Sequence, residues 1–157
     1  MRSPPEQAIE MAVSAGKLSP CEKSKRGCSA YTESAIGAQY GDRYQYLGTA
    51  FNSPPFPYKC DGSDACKKDC GKRCSHAEAR VIRQFSHVQQ PDRIRLVHIK
   101  VVDGKGVQGG GPSCWQCSRD LLDAGFGGIW LWEASGWVFY NAQDFHRETL
   151  KECEIHA

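Results

Sequence analysis

The sequence predicts a single α/β domain, with helices layered on a largely internal sheet, and three observations carry that prediction. Helical and extended patterns follow one another as α-β-β-α-β-α-β-β-α, the order of a layered α/β fold. The stretch 94–102 (IRLVHIKVV) is apolar on both faces, as a central strand must be. Finally, 157 residues at 40% hydrophobic content suffice for one real core. No repeat or linker divides the chain, so 1–157 is read as one domain carrying a cysteine-rich insert at about 58–74.

Each element has its own justification. Residues 4–16 predict a helix, with Pro4 and Pro5 in the first turn, Ile9 and Val13 four apart, and Gly16 as the stop. Residues 28–36 and 44–51 read as strands joined through Gly41-Asp42, a hairpin signal. Prolines 54, 55 and 57 force 52–57 into a loop. Residues 58–74 are polar and aperiodic. From about 75 to 87 the apolar set Ala77, Val81, Ile82 and Phe85 shares one helical face. After the strand at 94–102, the triple glycine 109–111 is a hinge, because it lacks both the P-loop Lys-Ser/Thr and the full dinucleotide spacing. A helix then runs from Ser113 to Ala124, ended by Gly125. Strands follow at 128–133 and 137–140, too close in sequence for a parallel crossover and therefore antiparallel. Asn141 caps a last helix that turns Phe145 and Leu150 inward.

Composition excludes several classes. No apolar run approaches the about 18 residues of a membrane span, and mean hydropathy is −0.54. Residues 1–5 lack the apolar region of a secretory signal, which predicts a cytoplasmic protein without membrane partners. The net charge is only +2, but residues 59–105 carry +5 and residues 106–157 carry −4.

Nine cysteines, an odd number without an export signal, favour metal thiolates over a disulfide scaffold. Cys114 and Cys117 form a CxxC pair, by itself equally a redox dithiol. Cys60, Cys66, Cys70 and Cys74 crowd into 15 unpatterned residues. They predict a second, closed and structural zinc site, with Cys21 or Cys28 able to replace one ligand.

The chemistry concentrates at two helix starts. Catalytic zinc takes three protein ligands and leaves a fourth position open. His76, Cys114 and Cys117 supply three, and the two cysteines, three apart, share a helix face. Glu78, two residues after His76, stays free to move protons beside the metal. The plain alternative is a capping box, in which Glu78 only reaches back to the Ser75 amide. The combination of H-x-E with a paired-cysteine helix is a deaminase signature and outweighs it.

On these residues the sequence resembles the zinc-dependent cytidine/deoxycytidylate deaminase superfamily over about 28–133. The matching segments are 46–54 (YLGTAFNSP), 76–79 (HAEA) and 114–117 (CWQC). One departure is Ser113, which separates Pro112 from the first cysteine. The resemblance implies a three-layer α/β/α sandwich around a mixed five-stranded sheet, and a homo-oligomer. It also implies one catalytic zinc on His76, Cys114 and Cys117, with Glu78 as proton shuttle. Asn52 would contact the sugar, with Phe51, Ala77 and Trp115 as further substrate contacts.

The expected activity is hydrolytic deamination of cytosine in a free nucleotide or nucleoside, giving uracil and ammonia. Two rivals stand beside it. A deaminase of cytosine or adenine in single-stranded DNA or RNA would use Lys67, Lys68, Lys72 and Arg73 on phosphates, though Asp61, Asp64 and Asp69 interleave with them. A non-enzymatic zinc module would have no use for Glu78.

Overall fold

The computed structural model describes residues 2–33 and 43–156. In chain order the elements are α1 (Glu6–Lys17), β1 (Lys25–Glu33), β2 (Tyr44–Phe51), the single turns α2 (Asp64–Lys68) and α3 (Cys70–Arg73), and α4 (Ala77–Gln84). There follow β3 (Ile94–Val102), β4 (Lys105–Val107), α5 (Trp115–Asp123), β5 (Gly128–Glu133), β6 (Gly136–Asn141) and α6 (Ala142–Glu152). The strands lie in the order β2-β1-β3-β5-β6, with β4 added against β3. Among the described residues only the β3–β5 pair is parallel, so the sheet is mixed. The expected antiparallel pairing of the last two strands is present as β5 against β6.

Several boundaries differ from expectation. The sheet has six strands rather than five, because Asp103 and Gly104 (φ 52° and 76°) make a two-residue hairpin into β4. That Asp-Gly was an available signal. The Gly41-Asp42 signal falls outside the described residues, although β1 and β2 do pair antiparallel. The helix expected over 75–87 is shorter, Ala77–Gln84, since Ser75 is held in a bridge with Ser53. Gly125 (φ 76°) follows α5 as predicted.

Alternation along the strands sorts the core into two layers. Cys28, Ala30, Ile94, Leu96, Ile129 and Leu131 face one side, where Ala77, Val81 and Ile82 of α4, Leu121 of α5, and Phe145 of α6 cover them. Tyr31, Val97, Ile99, Val101 and Trp130 face the other, under Ala8 and Ala12 of α1. The result is the expected three-layer α/β/α arrangement. Contact between α1 and β1 is close enough to demand glycine: a Cβ at Gly27 would lie 1.9 Å from the Ala12 carbonyl oxygen. His98 belongs to the face covered by α4, in the same alternation as Ile94 and Leu96. No helix among the described residues is long and apolar enough to cross a membrane.

Candidate active site and metal-ligand clusters

The start of α4 is placed by backbone bonding just beyond β2. Ser75 N–H donates to the Ser53 carbonyl at 2.8 Å, and Ser53 N–H returns to Ser75 at 3.2 Å. With Ser75 so used, His76 is the residue at the N-cap position, extended at φ −72° and ψ 152°, and its side chain makes no cap bond. The capping-box alternative for Glu78 therefore has no place here. At the other helix start, Cys114 is the N-cap of α5, and its Sγ accepts the Cys117 N–H at 3.3 Å.

These two starts converge. The ligand atoms of His76, Cys114 and Cys117 all lie within 4.8 Å of one another. Nδ1 of His76 is 3.3 Å from Cys117 Sγ, while its Nε2 is 3.3 Å from the Gly71 carbonyl oxygen. An Nε2–H donated to Gly71 leaves Nδ1 to face the thiols. Hydrogen bonding from Cys117, aided by His76, holds the Cys114 thiol down to about 5. The bond to Cys114 raises His76 to about 9, and the same partnership pushes the Cys117 thiol far up. A thiolate at Cys114 is thus the favoured state near neutral pH.

Glu78 is buried, 7% exposed, and its Oε1 lies 3.5 Å from His98 Nε2 on β3. Burial works to raise its carboxyl, yet His98 and His76 outweigh that and the net shift is downward. His98 is itself lowered, by burial first, against the pull of Glu78. Both groups line a cavity of about 220 Å³ shared by Asn52, Ala77, His76 and Cys114. Lys23, Ser24, Arg26, Cys70, Gly71, Cys74 and Ser113 complete its wall. Arg26 reaches Ser24 Oγ through Nε (2.9 Å) and the Gly109 carbonyl through Nη1 (3.4 Å).

The substrate contacts divide. Asn52 and Ala77 line this cavity. Asn52 is heavily committed: its Oδ1 accepts from Ser19 Oγ–H (2.7 Å) and Arg26 N–H (2.8 Å), and Nδ2 donates to Ser24 O (2.7 Å). One Nδ2 hydrogen remains for a ligand. Phe51 lies instead on a separate cavity with Leu18, Arg80 and Arg83. Trp115 is 39% exposed with the Arg119 guanidinium 5.1 Å over its ring, and is not among the residues that line the cavity. Sequence reasoning missed His98 and Arg26. Strand alternation placed His98 on the site face, and that signal was readable.

The second cysteine group also differs from expectation. Cys70 and Cys74 gather with Cys21, from the loop after α1, all three thiols within 4.8 Å. Cys60 and Cys66 contact each other instead, at 3.7 Å. Cys28 is fully buried in the core beneath α4. The insert bends back onto the loop after α1, a long-range approach that spacing within 58–74 does not encode.

The donor set at His76, Cys114 and Cys117 fits zinc: two thiols and an imidazole, three ligands with no fourth in the group, beside a buried carboxylate. No family model matches the chain, and no curated protein matches it by sequence. Among solved structures, the dCMP deaminase of cyanophage S-TIM5 is similar with a TM-score of 0.56 at 15% identity, over 92% of this chain and 90% of that one. The cytidine deaminase of Burkholderia pseudomallei is similar with a TM-score of 0.54 at 15% identity, over 91% and 96%. The fold is that of the cytidine/deoxycytidylate deaminases.

Proposed function

We propose that this protein is a zinc-dependent hydrolase that deaminates cytosine in a free nucleotide or nucleoside, releasing ammonia. The observation that carries this reading is Glu78, a buried carboxylate on the wall of a 220 Å³ cavity beside the His76, Cys114 and Cys117 donors. Zinc held by those three residues would supply Lewis acidity, making water acidic enough to act as a nucleophile near neutral pH.

The chain's own groups do the rest. Glu78, held below the ordinary carboxylate range, accepts a proton from the attacking water and delivers it to the ring N3; it then takes the second proton from the hydroxyl now on C4 and passes it to the amine, which leaves as ammonia as the C4 carbonyl forms. The contact from His98 restrains Oε1, so the carboxylate cannot swing away between transfers. Arg26 and Lys23 place positive charge on the cavity wall, and a nucleotide phosphate is the natural counterpart.

The test is ammonia release by purified protein across free nucleosides, nucleotides and oligonucleotides. Turnover of a free cytosine nucleotide or nucleoside is expected. Turnover of oligonucleotides alone would overturn the substrate assignment, and no turnover of any amino-bearing base would overturn the activity.

A further inference from the structure

We propose that Cys21, Cys70 and Cys74, completed by Cys60, hold a second metal ion, and that this ion sets the orientation of His76 through the turn between Cys70 and Cys74. The coupling rests on the reading of His76 as a ligand of the first site; the second site does not.

The thiols argue for a metal. Four thiolates around zinc at about 2.3 Å stand about 3.8 Å apart. Cys21 Sγ and Cys70 Sγ are separated by 3.3 Å, and Cys70 Sγ and Cys74 Sγ by 3.9 Å. A disulfide would bring two of them to about 2.05 Å. Backbone donors already point at the sulfurs, as they do where thiolates ligate metals: Ser24 N–H meets Cys21 Sγ, and Glu22 N–H meets Cys60 Sγ, each at 3.4 Å. The second of these bonds puts Cys60 against the residue that follows Cys21, and so makes it the fourth ligand. Its sulfur is not one of the three that lie within 4.8 Å of one another.

The link to the first site is one residue long. Cys70 and Cys74 bracket α3, a single turn of four residues with no side-chain cap. Gly71, inside that turn, presents the carbonyl that lies 3.3 Å from His76 Nε2. Fixing Cys70 and Cys74 on a metal fixes this carbonyl, and with it the tautomer and ring plane of His76. Outer partners of this kind typically carry about 10–100-fold in metal affinity. Both cysteines also line the active cavity, so the same ion braces its wall.

The experiment counts metal and measures its affinity, independently of turnover. Wild-type protein should carry two zincs per chain, and a single zinc that Cys21→Ser retains overturns the proposal. Cys21→Ser, outside both the turn and the cavity lining, should lose one zinc and let the other pass to a chelator about 10–100-fold more readily. An unchanged count overturns the second site, and unchanged affinity of the remaining ion overturns the coupling. Cys60→Ser should release the second ion where Cys66→Ser does not, and the reverse overturns the fourth-ligand assignment. Alkylation of loaded wild-type protein avoids any folding defect: Cys21, Cys70 and Cys74 should be protected until metal is stripped, and rapid labelling or a disulfide among them overturns the site. Cys114→Ala with Cys117→Ala separates the two readings. If the first site is wrong, that variant keeps the wild-type count while Cys21→Ser still loses one ion.

Discussion

The protein gathers cysteines in two places, and it does so by different means. His76 and Cys114 sit at N-cap positions of α4 and α5, with Cys117 in the first turn of α5. Those helices are anchored by Val81, Ile82 and Leu121, which are packed on the sheet. Cys21, Cys70 and Cys74 come from a loop and the two ends of one single turn, and their side chains form a small buried cluster of their own. The first cluster is positioned by apolar burial elsewhere in the chain, so it can be held ready without its ligand. The second has no comparable core beneath it, and ligand energy there is folding energy.

The largest effect that can test this division is chemical rather than structural. Glu78→Gln should lower turnover by about 10⁴ or more, since one carboxylate serves several proton transfers and a general acid–base group is typically worth about 10²–10⁴. Gln keeps the shape of the side chain and can still meet His98. Glu78 is not among the three metal donors, so metal content and thermal unfolding should stay at wild-type values. Steady-state rates and elemental analysis check both halves. Retention of more than about one-hundredth of the rate would mean that the positioned cluster does not use this carboxylate as drawn.

How much of this was legible in the sequence follows the same line. The first cluster was readable because each donor is local to a helix start, and His76, Cys114 and Cys117 come together as their spacing predicted, with Glu78 on the wall of the same cavity. The strands 44–51, 94–102 and 128–133 were readable from apolar pattern and punctuation. The second cluster was legible only in part: Cys70 and Cys74 were expected there and Cys21 stood as one possible replacement, but Cys21 and Cys70 are 49 residues apart and only the folded insert brings them together. Spacing favoured Cys60 and Cys66, which pair with each other instead. Asn52 was legible as a site residue but not as the tie between Ser19, Ser24 and Arg26, since that depends on where β1 begins.

The sheet face opposite both clusters offers a second, intermediate test. Tyr31 is 2% exposed and its hydroxyl oxygen accepts the Trp130 Nε1–H at 2.8 Å. Burial pushes its phenol up to about 12 from an ordinary 10. The folded state then binds the proton more tightly than the unfolded state. Stability is therefore intact below pH 10 and lost between pH 10 and about 12, by about 2–3 kcal/mol for this one group. Tyr31→Phe should flatten that alkaline slope in denaturant unfolding, while leaving Trp130 unpaired at a neutral-pH cost of about 1–3 kcal/mol. The buried Cys28 thiol, also raised, leaves a residual slope. An equally steep loss in the variant would remove Tyr31 from the account. Cys21→Ser should leave the slope unchanged if the sheet is independent of the insert.

The smallest effect asks whether the frame beneath the first cluster tolerates local damage. Asn141 caps α6, its Oδ1 accepting the Asp144 N–H at 2.8 Å and its Nδ2 meeting Asp144 Oδ2 at 3.0 Å. That helix packs Phe145 into the core shared with Leu121 of α5, and His146 Nδ1 lies 2.8 Å from Ser118 Oγ, the residue after Cys117. Asn141→Ala should cost about 1 kcal/mol and lower Tm by about 2–4 °C for a chain of this size. Because Phe145 and Thr149 remain buried, the helix should stay docked and hold α5 where it is. Metal affinity at His76, Cys114 and Cys117 should therefore match wild type in a chelator competition. A loss of affinity alongside the lower Tm would show that the first cluster leans on marginal structure too, and the contrast between the two clusters would fail.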